Sequence, residues 1–290
     1  MKTSQAAVIT VIVLAVIVLA GNASTAKAHE LLIKLQSPPT AGQPLTFTVS
    51  NGDIDKSINN TPWDAVEDVS IASARSVAHL AEPEWNVADK TSGFRHTFTS
   101  NGPYLLGVST KPKIFEFSGP EFADYLKEEH IEISGGKTPD RPPGAPIRER
   151  YSKHALAYVQ LGAPAAKHSL NTLGYPVEVR LQADPARLRP GDVLRVQVIA
   201  FGKPAANQIV LGGYEGYGHN AKGEPTNLLN LRTDKQGYAE FKISTAGRWA
   251  LYLVNMKAAN DPTFDVESHY ATVLFDISGK VVPRGFPAPR

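Results

Sequence analysis

"GYAEFKISTAGRWALYL" (Gly237–Leu253) decides how the chain is read. Apolar and polar residues alternate from Tyr238 to Ile243, a glycine interrupts them, and a second apolar run opens on an aromatic residue two positions later. Alternation at period two on either side of a glycine turn is the signature of paired antiparallel strands. The first half of the chain repeats it. "GFRHTFTSNGPYLL" (Gly93–Leu106) also runs from a glycine-led strand through a glycine turn, and Tyr104 follows Gly102 as Trp249 follows Gly247. A second echo links "AGQPLTFTV" (Ala41–Val49) with "PGDVLRVQV" (Pro190–Val198). Other short alternating runs, "VEVRLQA" and "YATVLFDIS" among them, are bounded by Gly, Pro, Asn and Asp. The fold expected is all-β: two sandwich domains of immunoglobulin-like or transthyretin-like design, with one or two short helices in the connection.

These signals divide the chain into a signal peptide at 1–28, an N-terminal β-sandwich at 29–117 and a helix, linker and connecting strand at 118–174. A C-terminal sandwich follows at 175–278, then a disordered tail at 279–290. The helix is read in "SGPEFADYLKEEHIE" (Ser118–Glu132), where a capping serine and a proline precede early acidic residues. Phe122, Tyr125 and Leu126 share one of its faces. "IRERYSKHALAYVQLG" (Ile147–Gly162) is expected to begin helical and pass into a strand.

The first 28 residues combine Lys2, an apolar run from Ala6 to Ala20 and a small-x-small site at Ala26–Ala28. They read as a cleaved export signal, the run being shorter than the roughly 20 residues of a spanning helix. The mature chain is then a secreted, periplasmic protein. It carries 28 basic and 28 acidic side chains, which argues against nucleic acid as a partner. Cysteine is absent, so disulfide partners, thiol catalysis and thiolate metal sites are excluded.

The sequence holds no Walker A loop, HExxH, nucleophile elbow or dinucleotide fingerprint, and the protein is expected not to be an enzyme. "GGYEGYGHN" (Gly212–Asn220) reads as a surface loop whose Tyr214, Tyr217 and His219 could line a ligand surface. Among eight histidines, none sits at a tight metal-ligand spacing. His29 stands apart because cleavage after Ala28 would give it a free α-amine beside its own imidazole. Two such nitrogens chelate one cation and favour nickel or copper over magnesium or calcium. A third ligand must come from another strand, with His96 the first candidate and His79 the second. Without a metal, the same sandwiches would form a binding module for envelope proteins or glycans.

The Ala28-His29 junction, "EFADYLKEEHIE", "RERYSKHALAYVQLG", "ADPARLRPGDVLRVQV", "LRTDKQGYAEFKISTAGRW" and "DVESHYATVLFDI" together resemble a bacterial periplasmic family of unknown function. Its members are commonly described as nickel-uptake substrate-specific components. The resemblance covers essentially the whole mature chain. It implies a β-rich protein that binds nickel or cobalt, with copper possible, through the N-terminal histidine and sequesters the ion or delivers it to a membrane importer. Two departures stand out. Relatives often carry His-Met in the strand after the Gly-x-Trp turn and Tyr-Trp in the last strand; here these are Asn255-Met256 and His269-Tyr270. A ligand in the second domain of relatives would thus be lost here or moved to His269.

Overall fold

The computed structural model describes residues 30–36, 39–81, 83–164, 170–216 and 229–279. The expected signal segment, His29, His168, Tyr217, His219 and the tail from residue 280 lie outside them. The first half contributes β1 (Glu30–Leu35), β2 (Pro44–Gly52), β3 (Ser57–Asn59), β4 (Val66–Ala72), β5 (Val77–His79), β6 (Asn86–Val87) and β7 (Thr91–Thr97). Next come β8 (Gly102–Thr110), β9 (Lys113–Phe117), helix α1 (Gly119–Glu128), β10 (Ile133–Ser134) and the long β11 (Ile147–Leu161). The second half adds β12 (Val177–Leu181), β13 (Val193–Ala200), β14 (Lys203–Pro204), β15 (Ile209–Tyr214), β16 (Leu229–Arg232), β17 (Tyr238–Lys242), β18 (Gly247–Ala258) and β19 (Val266–Ile277). The protein is all-β, and its described strands form three sheets. Among the described residues no helix is long and apolar enough to cross a membrane.

The expected all-β, sandwich-like fold with a short helix is present, and its layers share one sheet. A ten-stranded middle sheet runs β16-β15-β18-β19-β11-β8-β4-β5, with β10 on β18 and β9 on β11. The sheet of β1, β2, β7, β6 and β3 covers part of one face, and the sheet of β12, β13, β14 and β17 covers the other. The segment 118–174, expected to connect two domains, therefore supplies a central strand of the shared sheet. Ile147–Leu161 is strand throughout, with no helical start. The reason is visible in its alternation. Ala155, Ala157, Val159 and Leu161 fill the first core, while Leu156 and Tyr158 fill the second. A strand buried on both faces reads as a continuous apolar run, which hides its period.

The echoing turns correspond closely. Gly102 and Gly247 both have positive φ, 143° and 114°. Tyr104 donates its hydroxyl to the Ser100 carbonyl at 3.0 Å, and Trp249 donates its indole N–H to the Thr245 carbonyl at 3.1 Å, each four residues upstream. Trp249 is fully buried beside Phe241 and Tyr214. The α1 helix forms where the Ser118 and Glu121 pair predicts it, with both halves of the capping box in place. Its Phe122 and Tyr125 pack on Phe117, Ile147, Met256 and Tyr270 at the lower end of the middle sheet.

Candidate functional site

The histidines singled out from the sequence are dispersed. His96 lies on β7 opposite Leu45, whereas β1 begins with Glu30 opposite Gly52 at the other end of β2. Seven strand steps separate the two registers, roughly 23 Å. His96 is partly buried against the Phe98 ring, and that burial lowers its imidazole pKa. His79, on the edge strand β5, turns Nδ1 to Asp68 Oδ1 at 2.8 Å and to Ser70 Oγ at 2.9 Å. Burial raises the Asp68 carboxyl, but hydrogen bonds from Ser70, His79 and Tyr175 outweigh it and hold the group below its ordinary value.

His269 meets a histidine that the sequence reading did not select. On the adjacent parallel strands β19 and β11, His269 Nδ1 and His154 Nε2 are 3.0 Å apart. His154 Nδ1 is 2.9 Å from Ser109 Oγ. Burial pushes the His154 imidazole down to about 3, with His269 adding to the shift, and burial also lowers His269. Tyr175 lies beside His154, at 5.6 Å between ring centroids, and Phe201 meets His269 edge-on at 5.3 Å.

A second buried polar cluster sits on the opposite face of the same sheet, where β1 begins. Glu149, only 2 % exposed, accepts hydrogen bonds from Tyr125 and Tyr270, both at 3.1 Å, and from Ser268. Burial raises its carboxyl pKa despite these three donors. Lys153 Nζ donates to Asn51 Oδ1 at 2.8 Å, and burial pushes its ammonium down to about 8. Burial likewise pushes the Glu30 carboxyl up to about 8. A cavity of about 20 Å³ opens here, lined by Glu30, Glu129, His130, Tyr270 and Thr272 among others. That is room for one water or one ion.

Helix α1 delivers the two donors of this wall. Glu129 is its C-cap, and the chain then turns at His130 with φ of 54°, so that the Ile131 N–H reaches the Leu126 carbonyl at 2.8 Å. This left-handed position after a helix ordinarily belongs to glycine. A histidine there costs backbone energy, and such cost concentrates at functional positions. Among the described residues, no three His, Cys, Asp or Glu side chains are grouped to hold a metal ion by themselves. His29, one peptide bond before Glu30, lies outside those residues.

Sequence reasoning missed Glu149, Lys153, His154 and His130, although the first three left a trace in their strand parity. Glu149 and Lys153 share the parity of the core residues Ala155 and Ala157, and His154 that of Leu156. Charged and polar groups in an apolar row are the readable signal.

Residues 26–257 match DUF4198, described as a domain of unknown function, and the chain belongs to that family. No curated protein matches it. Among solved structures, a "Putative membrane anchored protein" from Corynebacterium diphtheriae is similar at 11 % identity, over 88 % of this chain and 60 % of that one, with a TM-score of 0.23. The D0-D1 domain of intimin matches at 13 % identity over 85 % and 97 %, with a TM-score of 0.19. Salmonella alpha-2-macroglobulin reacted with methylamine matches at 10 % over 87 % and 15 %, with a TM-score of 0.22. The chain thus spans 60 % of the first of these and a small part of the third. At such scores the likenesses carry no argument about this chain.

Proposed function

We propose that this DUF4198 protein is a periplasmic binder of a divalent transition-metal ion, nickel or cobalt before copper, which it sequesters or delivers to a membrane importer. The observation that supports the reading is the cavity at the start of β1, whose wall carries Glu129 and His130 next to Glu30. The premise is cleavage after Ala28, which gives His29 a free amine beside its imidazole. Glu129 and His130 would then supply the further donors, in place of His96 at the far end of β2. Three nitrogens and a carboxylate suit nickel, cobalt and copper better than magnesium or calcium.

Calorimetric titration of the mature protein with nickel tests this against a form carrying one extra residue ahead of His29. The extension should weaken binding at least tenfold. Equal affinity in both forms refutes the reading.

A second reading rests on a different observation. An open groove of about 740 Å³ lies between residues 132–138 and the β13–β14 hairpin, lined by Asn207, Gln208, Asn255 and Lys257. Phe201, half exposed with φ of 50°, stands at its rim. An aromatic ring over amides and a cation suits an envelope glycan. Retention of the protein on a glycan array, lost in Phe201→Asn, would favour this module.

A further inference from the structure

Behind that hairpin, the pair His154 and His269 has no part in the reading above. We propose that these two imidazoles form a separate site for a monovalent d10 cation, cuprous copper, bound between His154 Nε2 and His269 Nδ1. Each ring turns one nitrogen to the shared point and its other nitrogen to an oxygen. Ser109 Oγ lies 2.9 Å from His154 Nδ1, and Glu267 Oε1 lies 4.0 Å from His269 Nε2. Outer hydrogen bonds orient metal-binding histidines, as Ser109 does for His154, whereas Glu267 stands just beyond that reach from His269.

The metal-free pair is left incomplete. His269 is 6 % exposed, and its Nε2 is buried without a hydrogen-bond partner among the described residues. Leaving a buried polar nitrogen unsatisfied is costly. A linear two-coordinate ion with bonds of about 2.0 Å needs its nitrogens about 4 Å apart, so the rings must part by about 1 Å. A shift of that size would bring Nε2 within hydrogen-bond reach of Glu267. The element that must yield is the ring of Phe201 at the tip of a two-residue turn, not the core.

Charge selects a monovalent ion. The pair is buried among Tyr175 and Phe201, and the cost of burying an ion rises with the square of its charge, about fourfold from one to two. Glu267 is already held by Arg150 and Lys257, so that trio keeps one net positive charge. Two neutral nitrogens are the whole donor set, enough for copper(I) and too few for nickel(II). Loading leaves each ring one proton, on His154 Nδ1 facing Ser109 and on His269 Nε2 facing Glu267, so no proton is lost.

The test uses the chain with one extra residue ahead of His29, which disables the first site and keeps the two readings separate. Copper(I) titrated anaerobically against a chromogenic chelator should leave one equivalent on this form, and X-ray absorption should show two nitrogen neighbours. Replacing both residues, His154→Gln with His269→Gln, should remove that equivalent. Failure of the extended form to hold copper(I), or undiminished binding by the double variant, overturns the site. Should the double variant not fold, imidazole ¹⁵N spectra of the extended form decide. One equivalent of copper(I) must shift two histidine rings together, and unchanged rings overturn the proposal.

Discussion

Replacing His130 with glycine separates what the backbone wants from what the site needs. His130 occupies the left-handed position after α1 with φ of 54°, and its side chain is exposed. An L-residue pays about 1–2 kcal/mol there. Glycine removes that strain but loses about 0.5–1 kcal/mol of backbone entropy on folding. No buried contact disappears, and the Ile131 to Leu126 backbone hydrogen bond stays. The net expectation for His130→Gly without metal is a gain of about 0.5–1 kcal/mol, a rise in Tm of about 1–3 °C. Nickel affinity should fall at least tenfold in the same variant. Calorimetry measures both on one sample. A lower metal-free Tm would refute the backbone argument, and a gain in stability with undiminished nickel affinity would refute the role of the imidazole.

Three further perturbations follow from the packing. Burial pushes His154 from 6.5 down to about 3, so between those values the unfolded chain binds a proton that the folded one does not. Stability should therefore rise with pH across that window, by up to about 1.4 kcal/mol per unit, and His154→Gln should flatten the slope in urea unfolding at stepped pH. In Gly107→Ala, the new Cβ would meet Leu173 at 2.2 Å and Tyr175 at 2.7 Å. A loss of about 1–3 kcal/mol is expected in the same urea assay, and the Asp68 and His154 resonances should shift because Tyr175 touches both. The paired turns predict unequal costs: about 0.5–1.5 kcal/mol for Tyr104→Phe, which loses two exposed hydrogen bonds to Ser100, and about 3–5 kcal/mol for Trp249→Ala, which empties a core position. Similar losses in thermal melts would mean that the two aromatics do not play the parts assigned to them.

The strand grammar was legible because the outer sheets bury one face each. Leu45, Phe47 and Val49 alternate with Thr46 and Thr48, and Leu194, Val196 and Val198 with Arg195 and Gln197. The helix was legible from its capping pair. The sharing of the middle sheet was not, because β11 is buried on both faces and carries no alternation of polarity. It pairs antiparallel with β8 and parallel with β19, and the β19 partners lie more than a hundred positions away in sequence. The candidate site suffered from the same distance. His154 and His269 are 115 residues apart, and Glu149 and Tyr270 are 121 apart. Only a strand register joins them. His130 left a local sign, a histidine where a helix ending calls for glycine, but that sign needs the helix boundary to be known first.

The position of β19 bears on how the chain acquires its shape. It is the last described strand, yet it lies inside the middle sheet, hydrogen-bonded to β11 on one edge and β18 on the other. During synthesis neither neighbour can complete its ladder until residue 277 has emerged. The nascent protein must hold two open strand edges apart until the final segment slots between them. A truncation ahead of Val266 would leave a polypeptide with unsatisfied edges and a strong tendency to self-associate.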